Sequence, residues 1–356
     1  MYCLRRKITL VLTICLIVAL NPVASNATPI KLGQSCSKLN AEQKLGQSRF
    51  VCTRIDGKTT WQQSIAQIQE GIWRDIQKQR SSLPDVSASL DVRFSPTVKV
   101  ESAKLILNSL NQAAKLWQVQ YLPQEPLPTL FFTEKDRKWF AETLKQLGVY
   151  SEGKLNQFDN EVKRNGNRAN WAGVSGDGGK LWMTYAIGTG RNSFDPNDFQ
   201  VAAHEYTHLA QNAIAGQEFL TCWQIEGGAS FYGLYLGAKS VKEVNSFIKF
   251  RNNEPYYLGF TGLRKQSPES LPKLVEQFSA DYRGQKCGPD GAYSVGNVMH
   301  EYLYTLKGHQ GIIEMMQNVA AEKSFLKGME KTFGKPWPEL EKDIVRYINL
   351  LIAQSN

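Results

Sequence analysis

The sequence predicts an α+β fold. A small mixed sheet stands beside one buried helix, a mainly helical C-terminal lobe follows, and a small disulfide-stapled hairpin precedes both. Three observations carry this reading. Residues 100–147 run through helical, strand and again helical periodicity. A β-rich run at 178–188 stops shortly before a helix opening at Pro196. Beyond residue 223 nearly every apolar pattern has the helical period, with amphipathic stretches near 240–250, 291–307 and 337–353. A chain of 356 residues can bury a substantial core, as one main domain with a small appendage.

Taken in order, Arg5, Arg6 and Lys7 precede an apolar run at 8–20 and the small-residue end Ser25-Asn26-Ala27. That run is too short to span a bilayer core of about 30 Å comfortably, so residues 1–27 predict a cleaved secretory signal, with a retained anchor as the alternative. A secreted or otherwise extracytoplasmic protein is expected. Residues 28–63 predict a hairpin stapled by Cys36 and Cys52, with Asp56-Gly57 in a turn between alternating strands. It resembles small two-cysteine modules appended to exported bacterial proteins. Residues 64–97 predict a charged linking helix over 64–80 and a linker. The remainder, 98–356, is the expected main domain: helix 100–120, strand 128–133, helix 134–147 and an edge strand at 178–188.

Loss of Cys3 and Cys15 with the signal leaves Cys36, Cys52, Cys222 and Cys287. Four cysteines in an oxidising compartment allow three pairings, and proximity favours Cys36–Cys52, which leaves Cys222–Cys287.

The chemistry concentrates in His204-Glu205-Tyr206-Thr207-His208, followed by Glu226 in Trp223-Gln224-Ile225-Glu226-Gly227-Gly228-Ala229. The chain holds only four histidines, and shuffling its composition gives this His-Glu-x-x-His spacing in roughly two chains per thousand. Residues four apart share a helix face, so both imidazoles point toward one atom. Neutral imidazoles and a carboxylate suit zinc, and a catalytic site keeps three protein ligands with one position open. His204, His208 and Glu226 are the expected ligands of one Zn2+ per chain, with Glu205 placed to accept a proton from water. Asp195, Pro196 and Asp198 suit the start of this helix, and Thr221 suits the cap of the helix carrying Glu226. Gly227 and Gly228 permit close approach of the two helices.

These residues resemble the gluzincin group of zinc metallopeptidases, whose third ligand is a glutamate on the helix after the motif. Trp223-x-x-Glu226-Gly227-x-Ala229 is similar to the glutamate segment of the membrane-alanyl-aminopeptidase-like branch. That branch has one more residue before the glutamate and a Gly-x-Met-Glu-Asn segment, which this chain lacks. The thermolysin pattern has Asp where Ser230 stands, and the metzincin extension has Gly and His where Gln211 and Ile214 stand. The branch is therefore unassigned. The resemblance implies a zincin-like fold and metal-assisted hydrolysis of peptide bonds, Glu205 passing its proton to the leaving amine. It also implies a tyrosine or histidine that steadies the oxyanion from a helix with a Tyr-x-x-Gly start. Tyr293-Ser294-Val295-Gly296 matches, which makes Tyr293 the first candidate and His300 the second.

Without residues 1–27 the net charge falls from +9 to +6, because that segment holds three of the 42 basic residues and no acid. The remaining basic residues are scattered, and no motif supports nucleic-acid binding. Peripheral attraction to an anionic cell envelope is compatible with this balance. The expected partner is a peptide or protein substrate, cut within its chain as by an endopeptidase. The alternative is a non-catalytic surface-binding or scaffold protein on the same fold. Oligomeric state is not written in these patterns.

Overall fold

The computed structural model describes residues 31–55, 57–168, 171–177, 179–190, 196–216, 219–253, 272–273, 275 and 292–355. The expected signal at 1–27, Asp195, Cys287 and the glycine-rich turn at 288–291 lie outside the described residues. The described chain is α+β, with two small sheets and a predominance of helix.

The N-terminal module is a three-stranded antiparallel meander rather than a hairpin: β1 (Glu42–Leu45), β2 (Ser48–Ile55) and β3 (Lys58–Gln63). β1 is short and fully exposed, so it lacks the alternation that would reveal it. Gly46 and Gly57 supply the positive φ that the two tight turns require. Cys36 is joined to Cys52, at the buried centre of β2.

Ser64 caps α1 (Ile65–Ser82) by accepting from the Gln67 backbone N–H, and Ile65, Ile72 and Ile76 enter the main core. The segment 64–97, read as linking helix and linker, is thus built into the fold. It also supplies β4 (Leu90–Phe94), which pairs with the main sheet. That sheet is completed by β5 (Leu127–Phe132), β6 (Ala172–Asp177) and β7 (Lys180–Ala186), in the order β4-β5-β7-β6. The first three run parallel, and β6 is the antiparallel edge. The strand at 180–186 is therefore interior, not an edge as expected. Its buried run Met183 to Ala186 is that of a strand covered on both faces, while the true edge, β6, carries Gly173 and Gly176 and little apolar periodicity.

The helices α2 (Val100–Trp117), α3 (Arg137–Leu147) and α4 (Glu152–Asn165) cover the sheet. Phe131, Met183 and Tyr185 face the main core with α2, whereas Leu130, Phe132 and Trp182 pack with Phe140, Leu144 and Phe158 of α3 and α4. Alternate residues of one strand thus supply two cores. A buried carboxylate pins the C-terminal ends of β4 and β5 together: Asp136 Oδ2 accepts from the Thr133 N–H at 2.8 Å and from the hydroxyls of Ser95, Thr97 and Thr133.

The C-terminal lobe comprises α5 (Pro196–Ala215), α6 (Gly228–Gly237), α7 (Val241–Asn253), α8 (Ser294–Glu322, kinked at Gly308), α9 (Phe325–Phe333) and α10 (Trp337–Gln354). At its centre the fully buried Glu301 is held by Arg251 Nη1 at 2.5 Å, Tyr235 Oη at 2.9 Å and Gln69 Nε2 at 3.1 Å. Gln354 closes the molecule on the N-terminal module. Its Oε1 accepts from the Ile65 N–H at 2.8 Å, and its Nε2 donates to Gln63 O at 2.9 Å and Thr53 Oγ1 at 3.2 Å. Among the described residues no helix is long and apolar enough to cross a membrane.

Candidate metal centre

Both histidines project from α5, which begins at Pro196 as expected from its fixed φ. The four-residue spacing brings His204 Nε2 and His208 Nε2 to 3.0 Å of one another. Glu226 reaches them from the next helical segment, with Oε2 3.4 Å from His204 Nε2 and 3.5 Å from His208 Nε2. Glu226 does not lie on an ordinary α-helix. Trp223–Gly227 forms a π turn running directly into α6, a distortion common at functional sites. Thr221 starts this segment as expected, but by an inverted capping: its backbone N–H and hydroxyl both donate to Gln224 Oε1, at 3.0 and 3.1 Å. Cys222 is buried and disulfide-bonded there, while the partner expected for it lies outside the described residues.

The glycines set the spacing, though not only against α5. A Cβ on Gly227 would meet the backbone of Gly296, on α8, at 2.4 Å. A Cβ on Gly228 would meet His300 Nε2 at 2.9 Å and Gln211 Nε2 at 3.0 Å. The close contact with the histidine helix falls one turn further on, where a Cβ on Gly233 would stand 2.6 Å from Gln200 O and 3.2 Å from His204 Cβ.

The outer ring nitrogens are also held. His208 Nδ1 lies 2.9 Å from Gln211 Oε1, and His204 Nδ1 lies 3.3 Å from Ser230 Oγ. With Nδ1–H donating outward on each ring, both Nε2 lone pairs face Glu226. Glu226 Oε2 is sealed from solvent, and the two imidazoles at 3.4 and 3.5 Å stand at the limit of contact, so it has no well-formed hydrogen bond. Three electron-pair donors thus converge on one point. A tetrahedral centre with bonds of about 2.0–2.1 Å separates its ligand atoms by about 3.3–3.4 Å, which the observed 3.0, 3.4 and 3.5 Å match. Two imidazoles with one carboxylate suit a divalent transition ion better than calcium or magnesium, which take oxygen ligands.

The electrostatics point the same way. Burial disfavours a charge on His208, but the Glu226 carboxylate beside it, with Glu205 adding to it, pushes its pKa up to about 9. Burial likewise works against ionised Glu226, yet the two imidazoles hold it well below the usual carboxylate range. The cluster demands a positive charge, which a proton or a metal ion satisfies.

Glu205 is buried beside His204 and has no hydrogen-bond partner among the described residues, while its oxygens are not sealed off. Tyr293 is half-buried at the start of α8, its ring stacked on that of His204 with centroids 5.8 Å apart and planes 8° apart. His300 is not brought to the cluster. It is 1% exposed, its Nδ1–H donates to Gly296 O at 2.8 Å, and its ring packs against Trp223 and Phe231. Burial outweighs that hydrogen bond and lowers its pKa to about 4, so at neutral pH it is an uncharged packing group behind Gly228. None of its contacts among the described residues is to His204, Glu205, His208 or Glu226. Sequence reasoning passed over Gln211 and Ser230 as partners of the histidines, although Gln211 shares the face of His208 at the i+3 position.

No family model, curated protein or solved structure matches the chain.

Proposed function

We propose that this protein is an exported zinc-dependent endopeptidase of gluzincin type, built on a zincin-like fold. The observation that carries the reading is the convergence of His204 Nε2, His208 Nε2 and Glu226 Oε2 on one point, beside the buried Glu205, which has no hydrogen-bond partner among the described residues. His204, His208 and Glu226 would hold the ion. Zinc, when bound, polarises a carbonyl and acidifies a water molecule.

The protein's own groups do the rest. Glu205 accepts the water's proton and delivers it to the leaving amine, the work of a general base followed by a general acid. Tyr293, beside His204, donates to the oxygen on which negative charge develops. The outer edge of β6, which pairs only with β7 among the described residues and lies next to α5, pairs with an extended peptide through main-chain hydrogen bonds, which reads length and extension more than sequence. The Cys36–Cys52 bridge supports a destination outside the reducing cytoplasm.

The test compares wild type with Glu205→Gln, by metal analysis and by cleavage of a denatured protein. One zinc per chain in both, with cleavage by the wild type alone, is the expected result. Zinc in both with cleavage in neither would move the weight to a binding or scaffold role. A wild type without zinc ends the proposal.

A further inference from the structure

A single side chain spans the two halves of the metal centre. Gln211 follows His208 by three residues on α5 and is 1% exposed. Its Nε2 donates to Gln224 O at 3.0 Å and to Ile225 O at 2.9 Å, within the π turn that carries Glu226. Carbonyl oxygens only accept, so the nitrogen end of this amide must face them and the oxygen end must face His208. Oε1 therefore accepts from His208 Nδ1–H, at 2.9 Å, leaving Nε2 of that ring to the cluster.

We infer that Gln211 is a positioning residue that sets two things together: which nitrogen His208 offers to a metal ion, and how far Glu226 stands from it. This rests on the metal reading proposed above. The π turn explains why a glutamine is needed. A π turn leaves carbonyls off the regular helical ladder, and here the Gly228 N–H also aims at Gln224 O and Ile225 O. The amide adds a second, inter-helix donor to both. Neither a shorter asparagine nor a carboxylate, which cannot donate, performs both tasks. Gly228 is part of the same device, because a Cβ there would stand 3.0 Å from Gln211 Nε2.

The test measures zinc affinity by chelator competition on the full chain, for wild type, Gln211→Met and Gln211→Glu. Cobalt-substituted samples supply an absorption spectrum of the ligand field. The methionine fills the space without either hydrogen bond, and the glutamate keeps only the acceptor. Both variants should bind zinc 10- to 100-fold more weakly, with altered cobalt spectra. A side chain that only supports packing would lower the melting temperature and leave affinity and spectrum unchanged. That result overturns the inference while the metal reading stands. A wild type that takes up no zinc overturns both. Should the variants fail to fold, long-range 15N–1H spectra of zinc-loaded wild type decide the matter. A proton on His208 Nδ1 with the metal on Nε2 supports the inference, and the opposite arrangement refutes it.

Discussion

Adding one methyl group at Gly233 should separate the stability of this protein from its affinity for the proposed zinc ion. In Gly233→Ala the new Cβ would stand 2.6 Å from Gln200 O, a backbone atom of α5 that cannot rotate away. Reaching the 3.4 Å of ordinary contact requires α6 to move about 0.8 Å from α5. Glu226 precedes α6 without a break, so a rigid shift stretches its 3.4 Å approach to His204 Nε2 to about 4.2 Å, beyond a tetrahedral edge of about 3.3–3.4 Å. Overpacking costs about 1–3 kcal/mol, and the better helix propensity of alanine returns roughly 0.5–1 kcal/mol, so the net loss of stability is only about 0–2.5 kcal/mol. Zinc affinity should nevertheless fall at least about 10-fold. Gly71→Ala is the control. Gly71 lies on an exposed face of α1 with nothing within 4 Å of an added Cβ, so this change should stabilise by about 0.4–1 kcal/mol and leave zinc alone. Chelator competition and thermal unfolding of both variants read the two quantities. Wild-type zinc affinity in Gly233→Ala would refute the argument that this contact sets the ligand spacing.

Three other outcomes are expected. Burial raises the pKa of Asp136, but hydrogen bonds from Ser95, Thr97 and Thr133 outweigh it and hold the carboxyl below its ordinary value. Its stabilisation is therefore complete above the unfolded value of about 3.9 and fades as pH falls through the lower folded value. Asp136→Asn should be less stable at pH 7 and should lose less on acidification, as read from unfolding midpoints between pH 7 and 3. Arg251→Ala should cost about 3–5 kcal/mol because it leaves Glu301 buried without its cation, and Arg251→Met with Glu301→Gln should recover much of this in urea unfolding. Tyr293→Phe should lower kcat by about a hundred- to a thousand-fold with zinc content unchanged, and an unaltered kcat would reduce that ring to a packing role.

The parts legible in the sequence are those fixed by local spacing. His204 and His208 share a helix face wherever that helix sits, and the helices at 100–117 and 337–354 announce themselves by their period. What stayed hidden depends on partners distant in the chain. Nothing local distinguishes His300, buried under Trp223, from a histidine facing a cleft. The π turn at Trp223–Gly227 follows from close packing on Gly296, nearly seventy residues on, and β6 is visible only through its pairing with β7. Gln211 stood on the right face, but its role exists only once two carbonyls of the next segment arrive beside it.

The three hydrogen bonds of Gln354 have a kinetic meaning. The N-terminal meander and its bridge involve neighbours in sequence and can form as soon as residue 63 has been made. Their seat against α1 is completed only by a residue almost three hundred positions later. Docking of the meander is thus begun by α1 itself, through Arg49 and Gln67, and closed by α10 from the far end of the described chain. A chain lacking α10 would keep its meander on α1 by these local contacts alone, so its Cys36–Cys52 bridge should be reduced faster than in the full fold.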